Sequence, residues 1–343
     1  MEKSHKKYKA LSLISGGLDS FLATKLILDQ GIEVEGMNFF TGFTGDHDYY
    51  FKRFHDGSHG AKWICDRLGI KLHVVSVVDE FKSVMQCPKY GFGSNLNPCL
   101  DCKLFMVVKA KEWMEQQGFD FLVSGEVLGQ RPMSQRKDTL PLAAKITSDL
   151  IVRPLSAKLL SPTLPELNGW INRDLLCGFS GRSRQPQMQL AEKYGFKEHP
   201  QPGGGCLLTD PNFCKRLKDL WDHQLDRNYK LDDILLMRLG RHLRINPHLK
   251  AVVGRDKVEN DFIERFSDKY ILLQTIDHPG ALVLLDGKVD EVGLLQMARL
   301  AVYFSKGREA KEVEVLIRRP DALAEIIQVV PLELENFLEK IIV

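Results

Sequence analysis

The hydrophobic pattern near the N-terminus predicts a strand, a tight turn and a helix. The apolar run from Tyr8 to Ile14 has the length of a buried strand. A polar, glycine-containing stretch from Ser15 to Ser20 follows it directly. Leu22, Leu26 and Ile27 then recur at helical spacing. The pattern therefore indicates a strand that enters a turn and continues as a helix.

Further apolar stretches predict a parallel sheet. They fall at residues 32–39, 71–78, 119–124 and 150–155, and helical stretches separate most of them. Alternation of strands and helices is typical of a doubly wound parallel sheet of the α/β class. Ligands bind such sheets at the carboxyl ends of the strands. We therefore expect the chemistry to lie in the loops that follow the strands.

The pattern changes along the C-terminal part of the chain. Lysine- and arginine-rich helices are predicted from about Pro211 onwards. Two apolar runs, residues 270–276 and 281–285, flank a His-Pro-Gly turn and predict a hairpin, before a helix and another strand. We predict three domains: an α/β domain at 1–165, a central helical and basic region at 166–265, and a smaller α+β domain at 266–343.

Composition excludes some classes of protein. The 343 residues are 44% hydrophobic, which is enough for a sizeable core, and no run approaches the length of a membrane span. The short basic N-terminus lacks the apolar segment of a secretion signal, so we expect a cytoplasmic protein. The net charge of +2 is too small to establish nucleic-acid binding and does not oppose it.

The turn after the first strand has the chemistry of an anion site that also needs a metal. Glycines at 16 and 17 let a phosphate approach the backbone, and the helix that follows directs its positive end toward the turn. Asp19 would repel a phosphate unless a divalent cation lay between them, so the turn predicts Mg²⁺ as well. The Lys of the common nucleotide P-loop is missing, which excludes that motif.

Seven cysteines in a reducing compartment favour reactive or metal-binding thiols over disulfides. Cys99 and Cys102 precede a predicted helix from Leu104 to Gln116, and a helix N-terminus lowers the pKa of a thiol. A Cys-x-x-Cys pair alone is compatible with structural zinc, a redox dithiol or iron–sulfur ligation. Cys206 follows three glycines, which give its backbone freedom to approach that pair.

The string Ser-Gly-Gly-Leu-Asp-Ser at residues 15–20 resembles the pyrophosphate-binding loop (PP-loop) of the ATP pyrophosphatase superfamily. The resemblance implies the adenine nucleotide alpha hydrolase-like (HUP) fold. It implies that Ser15, Gly16, Gly17, Leu18, Asp19 and Ser20 bind ATP and Mg²⁺, with Asn38, Phe39 and Gly125 near the nucleotide.

The order of motifs after that loop is similar to the tRNA 2-thiouridylases and the wider group of 4-thiouridine synthetases. An Asn-Pro-Cys segment, then a strand that ends in Ser-Gly, then a Ser-Gln loop follow in turn. In that family the cysteines that match Cys102 and Cys206 carry out sulfur transfer. The resemblance therefore implies that Cys102, Cys206 and Asp19 are catalytic and that the 1–165 domain is an ATP pyrophosphatase domain.

The chain departs from many 2-thiouridylases because it has a third cysteine, Cys99. Iron–sulfur-dependent members of the group resemble this arrangement, which implies that Cys99, Cys102 and Cys206 hold a [4Fe–4S] cluster with one open iron for hydrosulfide. A persulfide mechanism without a cluster is the main alternative. Zinc would need a fourth ligand, for which Cys87 or His73 is available.

Two groups of arginines are candidate RNA contacts. Arg182 and Arg184 lie among Gly and Ser residues, and guanidinium groups fork onto phosphates. Arg238, Arg241 and Arg244 form a basic stretch in a nearly neutral chain, which fits a tRNA backbone track. A solvated loop and an ion-paired surface are the respective structural alternatives. The C-terminal domain resembles RNA-binding modules attached to PP-loop proteins and to ribosome quality-control factors.

The combined prediction is an ATP-dependent tRNA sulfurtransferase that forms AMP and pyrophosphate. ATP, Mg²⁺ and a [4Fe–4S] cluster are the expected cofactors. The partners are tRNA and a sulfur donor, either hydrosulfide or a cysteine desulfurase relay. Two other functions remain open, an ATP-dependent amidating ligase of the same superfamily and an RNA-binding protein that has lost catalysis. The first would not need the three cysteines, and the second would release no pyrophosphate.

Overall fold

The computed structural model describes residues 7–44, 60–196, 205–224, 226–331 and 340–342. The chain divides into two compact units, Met1–Thr209 and Asp210–Val343. In the described part of the chain, no helix combines the length and the apolar character needed to cross a membrane.

The first unit contains a parallel sheet. Its described strands pair in the order β3-β2-β1-β4-β5. Every neighbouring pair in this sheet is parallel. The bounds of these strands are β1 Lys9–Leu13, β2 Glu33–Phe40, β3 Leu72–Ser76, β4 Phe121–Ser124 and β5 Ile151–Val152.

Helices cover both faces of this sheet. Alternate residues of β1 point to opposite sides, so that Ala10 joins a core with Leu22 and Ile64, whereas Leu11 joins one with Val107. This arrangement confirms the doubly wound α/β fold. The helices are α1 Leu18–Leu28, α2 Gly60–Leu68, α3 Lys82–Gln86, α4 Cys99–Gln117, α5 Leu140–Ile146, α6 Leu164–Leu167 and α7 Gln185–Lys193.

Helix α4 begins earlier than its apolar pattern predicts. It starts at Cys99 instead of Leu104, so both Cys99 and Cys102 lie in its first turn. Pro98 precedes the helix, which suits its start because proline has no N–H for the helix to satisfy. Asp101 accepts hydrogen bonds from the backbone N–H groups of Lys89 and Tyr90, at 2.9 and 3.0 Å. The segment before α4 is therefore anchored to the helix that carries the two cysteines.

The second unit contains an antiparallel sheet. Its described strands pair in the order β11-β10-β8-β9-β7-β6, and α11 packs against β8. The strands are β6 Arg241–Asn246, β7 Leu249–Val253, β8 Ile271–Thr275, β9 Val283–Gly287, β10 Val313–Arg318 and β11 Glu325–Val329. The helices are α8 Pro211–Asp222, α9 Leu231–Leu236, α10 Lys257–Ile263 and α11 Glu291–Tyr303.

The two units differ from the three predicted domains. Strands β6 and β7 come from the predicted central region, yet β7 pairs with β9 from the predicted C-terminal domain. Leu249 and Ala251 of β7 share a hydrophobic core with Val283 of β9. The local composition of residues 166–265 gives no sign of this pairing, because the partner strand lies about thirty residues further along the chain.

Candidate functional site

The turn between β1 and α1 is ordered by hydrogen bonds of its own hydroxyl groups. The Ser20 hydroxyl donates to the carbonyl oxygen of Gly17 at 2.8 Å, and it accepts from the backbone N–H of Ser15 at 3.3 Å. Gly16 has a φ of +83°, in the left-handed region that favours glycine. Helix α1 has no side-chain cap at Gly17, so its first N–H groups face the turn without a side-chain acceptor.

Two further glycines let backbone segments close on this turn. A Cβ on Gly125, just after β4, would lie 2.6 Å from the backbone nitrogen of Ser20. A Cβ on Gly60, at the start of α2, would lie 2.8 Å from the carbonyl oxygen of Gly16. Neither position tolerates a larger residue, because both neighbouring atoms belong to the backbone. The end of β4 and the start of α2 therefore form walls of the turn.

Asp19 has one carboxylate oxygen without a hydrogen-bond partner in the described part of the chain. Its Oδ2 accepts a hydrogen bond from Nε2 of Gln130 at 2.9 Å, whereas its Oδ1 is buried and makes none with the described residues. A buried acceptor without a donor is costly, and a cation would remove that cost. Mg²⁺ is commonly held by one or two protein oxygens together with the phosphates of its nucleotide. The residues of this turn thus fit a Mg²⁺–nucleotide complex.

Asn38 and Phe39 serve the fold in this structure. The Asn38 side chain donates from Nδ2 to the carbonyl oxygen of Ile14 at 2.7 Å, at the end of β1. Phe39 is 7% exposed and packs in the core with Val107 of α4. Asn38 therefore braces the strand that leads into the turn, while the Phe39 ring contributes to the core. Their contact with adenosine stays a prediction.

The structure brings the three predicted cysteines together. Cys99 Sγ donates to the Ser134 hydroxyl at 3.4 Å. Cys206 forms a backbone bridge with Thr44 at the end of the described part of the β2 loop. Burial raises the pKa of the Cys102 thiol, and the neighbouring Cys206 and Cys99 raise it further. Cys99 and Cys206 therefore each lie within electrostatic range of Cys102.

Positive charge flanks the same thiol. Lys103 and Arg131 each lower the pKa of Cys102, although less than burial raises it. Lys103 Nζ donates to the Ser124 hydroxyl at 3.2 Å, at the end of β4. Burial lowers the pKa of Lys103 itself. These cations only partly offset burial, so the pKa of the Cys102 thiol is raised, which is opposite to the lowering predicted for a helix N-terminus.

Lys103 belongs to a buried ion-pair network with Glu126 and Arg153. Glu126 is 5% exposed and lies 3.7 Å from Lys103 Nζ. Arg153 donates from Nε to Glu126 at 3.0 Å and from Nη2 to the carbonyl oxygen of Leu140 at 3.0 Å. Burial alone would raise the pKa of Glu126, but Lys103 and Arg153 more than offset this and lower it. The network holds two cations around one carboxylate.

The described residues contain no preformed metal centre. No group of three or more His, Cys, Asp and Glu side chains within the described ranges has metal-binding spacing. His73, considered above as a zinc ligand, forms a hydrogen bond with Glu35 on the neighbouring strand instead. Cys87 is exposed. Three thiols remain the appropriate donor type for an iron–sulfur cluster, so the residues fit such a cluster by chemistry but not by a preformed cage.

One of the predicted arginine groups lies on a loop that is tied to the candidate site. The backbone N–H of Gly181 donates to the carbonyl oxygen of Leu128 at 2.7 Å. This bond places the 180–184 loop beside the segment that carries Gln130. Arg182 is exposed, whereas Arg184 is half-buried at the start of α7. Arg182 is therefore available to a phosphate at the edge of the first unit.

The other arginine group does not form the predicted exposed track. Arg238 is only 6% exposed. Arg244 forks onto Asp219 with distances of 3.0 and 2.7 Å, and the buried Lys250 lies 3.2 Å from the same carboxylate. The Arg241 guanidinium lies 5.1 Å from the centre of the Phe304 ring. These side chains are used inside the second unit, which favours the structural alternative.

Other exposed cations of the second unit lie after α11. The residues are Lys306, Arg308 and Lys311. Sequence reasoning missed them because the positive residues are mixed with Glu309 and Glu312 in this short connection.

Three residues of the first-unit site were also missed. They are Gln130, which contacts Asp19, Lys103, which contacts Ser124, and Arg153, which contacts Glu126. Each contact joins residues that are far apart in the sequence. Lys103 follows Cys102 directly, and this adjacency was the available signal for it. Gln130 lies in the loop after Gly125, but its contact with Asp19 joins residues 111 positions apart.

Comparison with protein families divides the chain in a similar way. Residues 8–149 match the model described as the tRNA methyl transferase HUP domain. Residues 240–341 match the model described as the NFACT protein RNA binding domain. The first match supports the resemblance of the first unit to PP-loop tRNA-modifying proteins, and the second shows that residues 240–341 are similar to an RNA-binding domain.

Curated relatives are similar to part of the chain. The chain is 28% identical over 220 residues to the tRNA-specific 2-thiouridylase MnmA of Pseudomonas fluorescens, covering 62% of this chain and 55% of the relative. It is 33% identical over 113 residues to the enzyme of the same name from Shewanella oneidensis, covering 32% and 30%. The chain thus spans about half the length of the first of these relatives.

Solved structures are more distant. A 4-thiouridine synthetase in complex with RNA and ATP is 20% identical, with a TM-score of 0.35 and coverage of 56% of this chain and 54% of that chain. A likeness of this size carries no functional argument.

Proposed function

We propose that this chain, whose residues 8–149 match the HUP domain of tRNA-modifying proteins, is an ATP-dependent tRNA sulfurtransferase. It would adenylate a carbonyl oxygen of a tRNA uridine and replace that oxygen with sulfur. The observation that carries the proposal is the buried Oδ1 of Asp19, which has no hydrogen-bond partner among the described residues, in the same unit as Cys102 and its neighbours Cys99 and Cys206.

The ATP end of the site is assigned to the turn after β1. Backbone N–H groups of residues 16–18 and the hydroxyls of Ser15 and Ser20 would bind the β and γ phosphates. Asp19 would hold Mg²⁺, which neutralises phosphate charge when bound. The uridine oxygen attacks the α-phosphorus, the bond to the bridging oxygen breaks, and pyrophosphate leaves. Positioning and preorganised charge supply most of the catalysis for such a transfer.

The sulfur end is assigned to the cysteines around the start of α4. Attack of an anionic sulfur on the activated uridine carbon expels AMP, because adenylation has made the oxygen a good leaving group. Cys102 and Cys206 are the proposed catalytic thiols, with Cys99 as the third member. Lys103 and Arg131 would stabilise the anionic sulfur.

We assign a [4Fe–4S] cluster to Cys99, Cys102 and Cys206. Such a cluster, when bound, supplies a place to hold inorganic sulfide for transfer. The three-thiol donor set supports the assignment, and the positive flank of Cys102 suits an anionic group. The cysteines would have to draw closer around it. Without a cluster, a persulfide on Cys206 with Cys102 as its partner is the remaining route.

The RNA contacts are assigned to both units. The RNA-binding domain match at residues 240–341 supports a role for the second unit in holding tRNA. Lys306, Arg308 and Lys311 are exposed there, and Arg182 is exposed in the first unit. The target base must leave its stack to reach the cysteines, so these contacts would also stabilise the distorted tRNA.

Anaerobic purification tests the sulfur end directly. Iron, acid-labile sulfide and the visible spectrum are measured for the native protein and for Cys99→Ala, Cys102→Ala and Cys206→Ala. We expect about four irons per chain, lost in each variant. Iron-free native protein that still thiolates tRNA would remove the cluster and leave the persulfide route.

A tRNA thiolation assay tests the whole proposal. The native protein is incubated with bulk tRNA, ATP, Mg²⁺ and sulfide, and thiouridine is measured by mass spectrometry together with released pyrophosphate. We expect both products, with thiouridine lost in Cys102→Ala and Cys206→Ala. Absence of pyrophosphate with every tRNA would contradict the proposal and favour a non-catalytic RNA-binding protein. Turnover that is unchanged without the cysteines would favour the amidating ligase.

A further inference from the structure

Gln130 stands out because its side chain meets Asp19 across a long span of sequence. It follows β4 by a few residues, in the loop whose Gly125 packs against the PP-loop. Its Nε2 donates to Asp19 Oδ2 at 2.9 Å. Gly129, its neighbour, is fixed by a hydrogen bond from its N–H to the carbonyl oxygen of Gln135 at 2.7 Å. The amide is therefore held against the carboxylate by an anchored loop.

Both partners of this hydrogen bond carry a second oxygen without a partner. Asp19 Oδ1 and Gln130 Oε1 are each buried and accept no hydrogen bond from any residue that the structure describes. A buried acceptor that is left unpaired costs about 1–3 kcal/mol. Two such oxygens on one bonded pair of side chains indicate a missing group that interacts with both. That group cannot be an anion, because both atoms are electron-rich.

The chemistry of the missing group follows from its surroundings. Carboxylate and amide oxygens are the ligands that Mg²⁺ takes from proteins, and the remaining positions go to water and phosphate. We infer that Gln130 is a second protein ligand of the divalent cation in the nucleotide site, acting through its Oε1 while Asp19 acts through its Oδ1. The inference rests on the proposed ATP site and adds a residue to it.

The inferred arrangement keeps the existing hydrogen bond. The Nε2 to Oδ2 contact uses one atom of each side chain, and the cation would use the other atom of each. Asp19 and Gln130 would then be oriented before the metal arrives, so little side-chain freedom is lost on binding. Gln130 also precedes Arg131, which influences Cys102, so the same loop links the metal end of the site to its sulfur end.

Binding of Mn²⁺ in the presence of α,β-methylene-ATP tests the inference without chemistry. The free Mn²⁺ signal is measured by electron paramagnetic resonance for the full chain and for Gln130→Met and Gln130→Glu. Methionine has a similar length and lacks the oxygen, so we expect Gln130→Met to weaken Mn²⁺ binding by about 10- to 100-fold. Gln130→Glu retains an oxygen ligand and should bind Mn²⁺ at least as tightly as the native chain.

A purely structural role predicts a different result. If Gln130 only positions Asp19 through Nε2, both variants lose that donor and both should weaken Mn²⁺ binding alike, which would overturn the inference. Unchanged binding in Gln130→Met would also overturn it. Gln135→Met is the matched control, because Gln135 Oε1 is likewise buried without a partner but has no hydrogen bond to Asp19 in the described chain.

The same experiment separates this inference from the proposed function. Native protein that binds neither Mn²⁺ nor the nucleotide analogue would contradict the ATP site itself. Native protein that binds both, with Gln130→Met unaffected, would contradict only the role of Gln130. Thermal unfolding of each variant without ligand confirms that the fold is intact.

Discussion

Among the described residues, each unit has a carboxylate that lies between two cations, and the two networks have different surroundings. In the first unit, Glu126 lies among Lys103 and Arg153. In the second, Asp219 of α8 lies between Arg244 of β6 and Lys250 of β7. Both carboxylates have a lowered pKa, since their cations outweigh the effect of burial.

The two networks differ in the contacts that their cations make in addition to the carboxylate. Lys103 reaches the end of β4 and lies beside Cys102, so its network continues into the candidate site. Arg244 and Lys250 both converge on Asp219, and their network joins a helix to two strands. A carboxylate partner alone therefore does not decide the role of a basic residue. Lys103 pairs with Glu126 and also lies beside Cys102, whereas Arg244 forks onto Asp219 within the second unit.

The largest expected effect is a loss of unfolding free energy that is confined to one unit in each of two variants. Glu126→Gln leaves Lys103 and Arg153 as buried cations without a counter-charge, so we expect the first unit to lose about 3–5 kcal/mol of unfolding free energy. Asp219→Asn should do the same to the second unit. Differential scanning calorimetry of the full chain measures both transitions.

Each variant is the control for the other. Glu126→Gln should lower the transition of the first unit and leave the second transition in place, and Asp219→Asn should do the reverse. If either variant lowered both transitions equally, the two networks would not be independent. Pyrophosphate release at a temperature where both variants are folded should fall in Glu126→Gln alone.

Acid sensitivity gives a smaller effect with a defined sign. A carboxyl group with a lowered folded pKa adds stability above its unfolded pKa, which is 4.5 for Glu126, and loses it as the pH falls through the folded pKa. The melting temperature of the first unit should therefore fall between about pH 5 and about pH 3. Glu126→Gln cannot titrate at this position, so its melting temperature should fall less over the same range. An equal fall in both proteins would show that other carboxyl groups dominate.

The fold was accessible from sequence because its pattern is local. The run from Tyr8 to Ile14 contains β1, and the helical spacing of Leu22, Leu26 and Ile27 marks α1. The start of α4 was misplaced because the charged Asp101 and Lys103 interrupt the apolar pattern, although Pro98 marks the true beginning. Pairing of β7 with β9 depends on tertiary contacts that no local pattern contains.

In the candidate site too, the residues that are contiguous in the sequence were predicted and those joined by long-range contacts were not. The PP-loop is contiguous, so residue types alone indicated its chemistry. Gln130 and Arg153 act through contacts that span 111 and 27 positions. The basic stretch around Arg244 was assigned to RNA because Asp219, 25 positions earlier, was not recognised as its partner. The role of a basic residue cannot be read from the sequence until the position of its acidic partner is known.

The smallest expected effect tests that lesson on RNA binding. Arg182 is exposed on a loop joined to the candidate site, whereas Arg244 is engaged by Asp219. Arg182→Ala should weaken tRNA binding modestly and reduce the slope of log affinity against log salt by about one, because one phosphate contact is lost. Arg244→Gln should leave that slope unchanged. Filter binding of tRNA across a salt series measures both slopes.

Either of two results would contradict the assignment of Arg182 to RNA binding and Arg244 to the fold. A slope reduced by Arg244→Gln, in protein whose thermal unfolding is native-like, would mean that Arg244 leaves Asp219 to bind a phosphate. A slope unchanged by Arg182→Ala would remove the 180–184 loop from the RNA contact. Lys109→Ala is the matched control, because this partly exposed lysine of α4 pairs with Glu112 and lies outside both arginine groups. The slope of log affinity against log salt reports the counterions that are released when cationic side chains neutralise phosphates. This measurement therefore distinguishes an RNA-binding arginine from a structural one.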